Sequence, residues 1–242
     1  MESYEQLSRR VARAIADQIR LKPNTCLGLP TGHTPLLTYK ILANWSHGGE
    51  EDLDRDAPPI DWSGVLCFAL DEYHDVQPKN SFQAFIEEHL YDQTNLPLPN
   101  RLNPGQSDDY DELIASCGGL DLTVLGIGGN GHIAFNEPGT ALASWTHCTW
   151  LAESTRVANQ EAFVSLDNVP VTGVTMGLQT IFASRRVILM ASGEKKRSIV
   201  ERAFNGEISA DVPASYLQNH GLVDVWTDFG FEKSFAAQSA QE

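Results

Sequence analysis

Apolar positions near the start of the chain fall at Leu7, Val11, Ile15 and Ile19, every fourth residue in a stretch without Pro or Gly. That spacing lines one face of an amphipathic helix, and the chain is predicted to open with it. The pattern then changes. Residues 25–29 form a short continuous apolar run, as a buried strand does, and residues 30–34 break it. Residues 35–45 resume a helical period with Pro35 at a tolerated first-turn position. The alternation continues with strands predicted at 65–70 and 122–125 and a helix at 81–91 capped by Ser81. A helix at 175–183, a strand at 187–190, a helix at 195–205 and a last strand at 222–226 follow.

Strands this short and apolar, separated by helices, predict an α/β fold whose mostly parallel sheet is covered on both faces. In such sheets ligands sit beyond the carboxyl ends of the strands, which singles out the loops after them. Residues 46–59 are acidic and predict a solvated loop without a catalytic pattern. There is no internal repeat, and the tail after Asp228 shows too little periodicity to assign.

Composition narrows the picture. At 242 residues and 42% hydrophobic content the chain supports one core, read as a single domain over 1–242. The opening MESYEQLSRR is polar and the longest apolar run, 65–70, is strand-sized, so a soluble, unprocessed, cytoplasmic protein without a membrane partner is expected. Cys26, Cys67, Cys117 and Cys148 lie far apart, without CxxC pairs or zinc-finger spacing, and imply neither disulfides nor a structural metal. A net charge of −15 argues against a nucleic-acid partner. It leaves an anionic substrate open, because a phosphate needs only local donors and one or two cations.

Three loops carry candidate chemistry. Residues 28–35, GLPTGHTP, run from a strand end into a helix start. Freed backbone N–H groups with the Thr31 and Thr34 hydroxyls suit a phosphate, although an ordinary tight turn with Thr34 as helix cap is the simpler account of this loop taken alone. At 70–74, LDEYH, a buried strand releases two carboxylates. One held there and partly desolvated suits a general base, and the alternative is a solvated loop acid.

The third loop, GIGGNGHIAFNEP at 126–138, satisfies GxGxxG after a strand. Pro138 and Gly139 interrupt the long helix that a dinucleotide fingerprint requires, and that reading is rejected. What remains is a glycine-rich loop presenting Asn130, His132 and Glu137 within eight residues, a group suited to moving protons at neutral pH. Arg156 and Lys196 are the cations available to reach back to a phosphate in the first loop, with surface solvation as the alternative.

Taken together, LGLPTGHTP, ALDEY, LGIGGNGHIAFNEPGT, STRVAN, VTMGLQTI, GEKK and VPASYLQNH occur in an order that resembles the glucosamine-6-phosphate deaminases, from Leu27 to about Asp228. The resemblance implies a three-layer αβα sandwich with a Rossmann-like sheet and a sugar-phosphate substrate handled without metal or organic cofactor. By position it assigns Asp71 as the base at C2, and Asn130, His132 and Glu137 as the ring-opening group. It assigns Thr31, Gly32, His33 and Thr34 to the phosphate loop, with Arg156 and Lys196 as cationic partners.

Several positions depart from the family pattern. Asn130 stands where many members have Asp, giving His132 an orienting acceptor without a carboxylate. His33 occupies a place often held by a small residue. Residues 145–151, basic in allosterically activated members, hold no Lys or Arg, and the C-terminal segment is short, so a monomer is favoured over a homo-oligomer. The rivals are a 6-phosphogluconolactonase, disfavoured by the Phe135-Asn136-Glu137-Pro138 continuation, and a sugar-phosphate-sensing module of a transcription regulator, disfavoured by the joint presence of Asp71, His132 and Glu137.

Overall fold

The computed structural model describes residues 2–49 and 58–236. In chain order the elements are α1 (Tyr4–Leu21), β1 (Cys26–Leu29), α2 (Leu36–Ser46), β2 (Leu66–Ala69), β3 (Asp71–Tyr73), α3 (Phe82–His89), β4 (Arg101–Leu102) and α4 (Tyr110–Ser116). There follow β5 (Leu122–Leu125), β6 (His147–Trp150), α5 (Glu153–Asn159), β7 (Thr172–Thr175), α6 (Leu178–Phe182), β8 (Arg186–Ala191), α7 (Arg197–Asn205), β9 (Leu222–Thr227) and β10 (Glu232–Ala236).

The opening helix starts on a reciprocal cap, in which Ser3 Oγ accepts from Gln6 N and the Gln6 side chain accepts from Ser3 N. Its predicted stripe of Leu7, Val11, Ile15 and Ile19 is buried. Seven strands form the main sheet in the order β10-β9-β8-β5-β1-β2-β4, parallel throughout except for β10. Alternate residues of β8 show that both faces are covered. Ile188 and Met190 join the core under α1 and α2, whereas Val187 and Leu189 join the core under α4 and α7. This is the three-layer αβα arrangement expected from the sequence.

From β1 the chain moves to β2 on one side, and β5 lies on the other. The loops leaving β1 and β5 therefore diverge at their carboxyl ends, where a crevice opens.

The structure departs from the sequence reading in several places. Residues 71–73, expected as a loop, form β3, the edge of a small antiparallel sheet ordered β3-β7-β6. The helix expected at 175–183 is only α6, because β-branched Thr172, Val174 and Thr175 extend as β7 and Gly177 occupies the cap. The helix expected from 195 opens with a 3₁₀ turn and becomes α-helical at Arg197. The unassigned tail supplies the edge strand β10. Ser81 caps α3 through Ala84 N at 3.0 Å, as expected. Part of the acidic loop expected at 46–59, residues 50–57, lies outside the described residues.

Candidate active site

The crevice holds a cavity of about 600 Å³ walled by the loops after β1 and β5, by Leu70 and Asp71, and by residues of α3, α5 and the turn before α7. Thr31, Gly32, His33 and Thr34 all line it. Gly32 adopts φ 94°, a left-handed conformation in which other residues are strained. Backbone N–H groups of Gly32, His33 and Thr34 have no acceptor among the described residues, which leaves them for an anion. Thr34 is not the cap of α2. Pro35 holds that position, and no side chain bonds the helix end from it. Tyr4 of α1 helps instead, its hydroxyl lying 3.1 Å from Thr34 O and accepting from Leu37 N at 3.4 Å.

The loop after β5 folds on itself without entering a helix. Gly128 N donates to His132 O at 2.9 Å and Gly131 N to Gly128 O at 3.0 Å. A Cβ on Gly128 would lie 2.2 Å from the His132 ring, so the imidazole packs where only glycine leaves room. Asn136, fully buried, ties the loop to its surroundings by donating to Ile133 O at 3.0 Å and Met176 O at 2.8 Å.

Within this loop Glu137 is the hub. Its Oε2 accepts from Asn130 Nδ2 at 2.7 Å and lies 3.5 Å from His132 Nδ1, while Oε1 accepts from Ala152 N at 3.2 Å. Burial would lift its pKa, but the hydrogen bond and charge of His132, with hydrogen bonds from Thr155 and Asn130, overrule burial and hold it down at about 2. Asn130 orients the cluster differently from the expectation. Its Oδ1 accepts from the backbone N–H of His132 at 3.2 Å, not from the ring. Its amide donates to Glu137, a bond that an ionised Asp could not make. Thr155 Oγ1 lies 3.2 Å from His132 Nδ1.

Asp71 occupies a different setting. It is 6% exposed, and no hydrogen bond or ion pair reaches its side chain among the described residues. The apolar Leu70, Phe82, Ala134 and Phe135 are among the residues that line the cavity with it. Burial first, and then the charge of Glu72, push its pKa up to about 8. Glu72 leaves β3 toward other partners and accepts from Tyr73 N, Phe82 N, Gln83 N and Asn103 Nδ2 at 2.8 to 3.0 Å, tying β3 to the start of α3. Of the two adjacent acids, Asp71 alone lines the cavity.

The two expected cations separate. Lys196 lines the cavity, with Nζ donating to Ile127 O at 2.7 Å and its pKa lowered by burial. Arg156 does not line it. Its Nε donates to Val169 O at 3.3 Å and its Nη2 to Leu166 O at 2.9 Å and Val169 O at 3.1 Å, so the guanidinium braces the 166–169 turn. A single Arg in the sequence gave no sign of those carbonyls. Sequence reasoning assigned no role to Thr155 or Asn136, though both lie inside motifs it noted, because their partners are set by the folded loop. Among the described residues no group of three or more His, Cys, Asp or Glu is arranged to hold a metal ion.

Comparison with known proteins follows the same lines. Residues 1–226 match the family described as glucosamine-6-phosphate isomerases/6-phosphogluconolactonase. A glucosamine-6-phosphate deaminase of Lachnoclostridium phytofermentans is 41% identical over 228 residues, 90% of this chain and 93% of its own. One from a Geobacillus species is 41% identical over 236 residues, covering 93% of this chain and 90% of its own. A solved structure described as a monomeric glucosamine-6-phosphate deaminase superposes with TM-score 0.86 at 38% identity, covering 95% of each chain. The 6-phosphogluconolactonase of Shewanella baltica shares the fold, with TM-score 0.67 at 20% identity over 94% of this chain and 95% of its own. With the cavity, the loop and the two carboxylates in the places described, the chain belongs to the glucosamine-6-phosphate deaminase family.

Proposed function

We propose that the protein converts glucosamine 6-phosphate and water to fructose 6-phosphate and ammonia, acting as a single-domain cytoplasmic monomer without a metal, a cofactor, or a nucleic-acid or membrane partner. The observation that carries this reading is the meeting of an unpartnered carboxyl at Asp71 and a hydrogen-bonded Asn130–His132–Glu137 group at one cavity, beside a loop with free N–H donors. The relative described as monomeric agrees with its single-chain form.

The sugar phosphate is held by the N–H groups and hydroxyls of residues 31–34, with Lys196 as the cation. Glu137 stays ionised through the neutral range and keeps His132 oriented. His132 then moves a proton between the anomeric hydroxyl and the ring oxygen, opening the pyranose. Asp71 takes the proton from C2 of the open aldose and returns a proton to C1, one group serving both carbons, while a proton passes from the C2 nitrogen to the C1 oxygen. The C2 imine so formed adds water and expels ammonia, leaving the ketose.

A coupled assay for fructose 6-phosphate and ammonia, run with and without a chelator, tests the reading. Equal turnover in both supports it. Absence of ammonia alongside hydrolysis of 6-phosphogluconolactone would replace it.

A further inference from the structure

Asp71 has a requirement that the protein itself does not meet. A carboxylate this deeply buried needs hydrogen-bond donors or a cation, and none reaches it among the described residues. Its neighbours do not help. Leu70, Phe82 and Phe135, which line the cavity with it, are apolar, and Thr175, its pairing partner in β7, gives its hydroxyl to Met176 O. Tyr39 of α2, Tyr110 of α4 and Tyr73 of β3 feel charge at Asp71, but burial keeps their hydroxyls protonated, and Glu72 is negative.

The cavity's basic side chains are committed elsewhere or open to water. Lys196 bonds Ile127 O, His132 is held by Glu137 and Thr155, and the His33 side chain is 83% exposed. Lys195 also lines the cavity, and it supplies no hydrogen bond or ion pair to Asp71. The counter-charge must therefore arrive with the ligand.

We propose that Asp71 is an ammonium-selecting carboxyl, which becomes a carboxylate when the protonated amine at C2 of an amino-sugar phosphate enters beside it and stays neutral beside a hydroxyl. This rests on the substrate reading above and adds to it a reason for choosing amino sugars. Burial and Glu72 hold the empty site's carboxyl protonated at neutral pH, consistent with its pKa of about 8. On binding, the carboxyl proton leaves to solvent, the ammonium stays, and the resulting carboxylate is free to accept the C2 proton. A hydroxy-sugar phosphate of the same shape finds an acid where a base is needed. The substrate arms its own base, and aldose–ketose exchange of phosphorylated hydroxy sugars is suppressed without a steric filter.

The test uses two non-reacting open-chain ligands, 2-amino-2-deoxyglucitol 6-phosphate and glucitol 6-phosphate, titrated calorimetrically at about pH 7 in buffers of different ionisation enthalpy. At that pH the raised carboxyl is mostly protonated. The amine should bind at least about tenfold tighter, as expected for a charge-assisted pair. It should release about one more proton per site than the hydroxyl ligand, which serves as the control for phosphate ionisation. In Asp71→Asn the extra proton release should vanish and the preference fall to within about threefold. Circular dichroism and binding of glucitol 6-phosphate show that the variant is folded.

Unchanged amine preference in Asp71→Asn, or wild-type protein that takes up the amine without extra proton release, overturns the inference. Ammonia release from glucosamine 6-phosphate is measured in parallel, which keeps the two readings apart. Turnover without linked proton release sinks only the inference. Linked release without turnover sinks only the assigned reaction.

Discussion

Asp71 and Glu137 are almost equally buried, at 6% and 7% exposure, yet one is pushed up to about 8 and the other held at about 2. Their solvent exposure is alike, so donors carry much of the difference, and the deeper enclosure of Asp71 adds to it. Glu137 collects Asn130, the N–H of Ala152 and His132, whereas no donor reaches Asp71 among the described residues and a like charge lies beside it in sequence. Two carboxylates driven apart in this way are suited to different steps, the lower one to holding a charge and the higher one to exchanging a proton.

The largest effect should come from neutralising the isolated acid. Asp71→Asn is expected to slow C2 proton exchange in heavy water by roughly 10²–10⁴-fold, read by NMR, while leaving ring opening intact. Exchange at the wild-type rate would move the base to another residue and end the comparison. Glu137→Gln should fail at the other step, with turnover down roughly 10–100-fold and partial recovery on a substrate held open. Equal losses on closed and open substrates would show that Glu137 serves the C2 chemistry as well.

The two acids should also part company in stability. In the folded state Asp71 keeps a proton that the unfolded chain releases, so its contribution is full below the ordinary 3.8 and is lost as pH rises through about 8. Thermal melts of Asp71→Asn should therefore gain on the unmodified protein across that rise, at ~2–4 °C per kcal/mol for a chain of this size. Glu137 has the opposite sign. Its contribution is present above 4.5 and lost as pH falls through about 2, and the deficit of Glu137→Gln should close in that acidic window. Parallel melting curves would deny that the two environments differ.

The smallest effects separate binding from bracing. Lys196→Ala should raise KM with a lesser change in kcat, through lost phosphate contact. Arg156→Ala should leave KM near its original value and lower the melting temperature by about 2–6 °C, since the guanidinium holds carbonyls of the 166–169 turn. A large KM effect in Arg156→Ala would return it to the phosphate.

Much of this was legible in the chain for physical reasons. Leu7 to Ile19 and the apolar strands declare themselves because their packing follows a period, and the Asn130–His132–Glu137 group is visible because its members are near neighbours in sequence. The small sheet was not legible. Its strands β3, β6 and β7 have three or four residues, and His147–Trp150 alternates between intermediate and exposed positions, leaving no apolar run to notice. Residue type and spacing alone did not separate Asp71 from Glu72, because two adjacent acids differ only in which side of a strand they leave; the choice of Asp71 came from the family resemblance. The carbonyl partners of Arg156 were not legible either, because carbonyl acceptors carry no residue-type signature.

That last distinction makes segment length, more than residue type, the guarded quantity around Leu70. Leu70 joins β2 to β3 and is pinned by Met176 N at 2.7 Å from its carbonyl. Removing or adding one residue there would shift the phase of β3 and exchange the sides from which Asp71 and Glu72 emerge. The carboxyl that anchors α3 would enter the cavity, and the one that now lines it would be withdrawn. Single-residue insertions and deletions at this joint should thus be eliminated by selection even where apolar replacements of Leu70 survive, and a loop-length library across residues 69–71 should return one viable length.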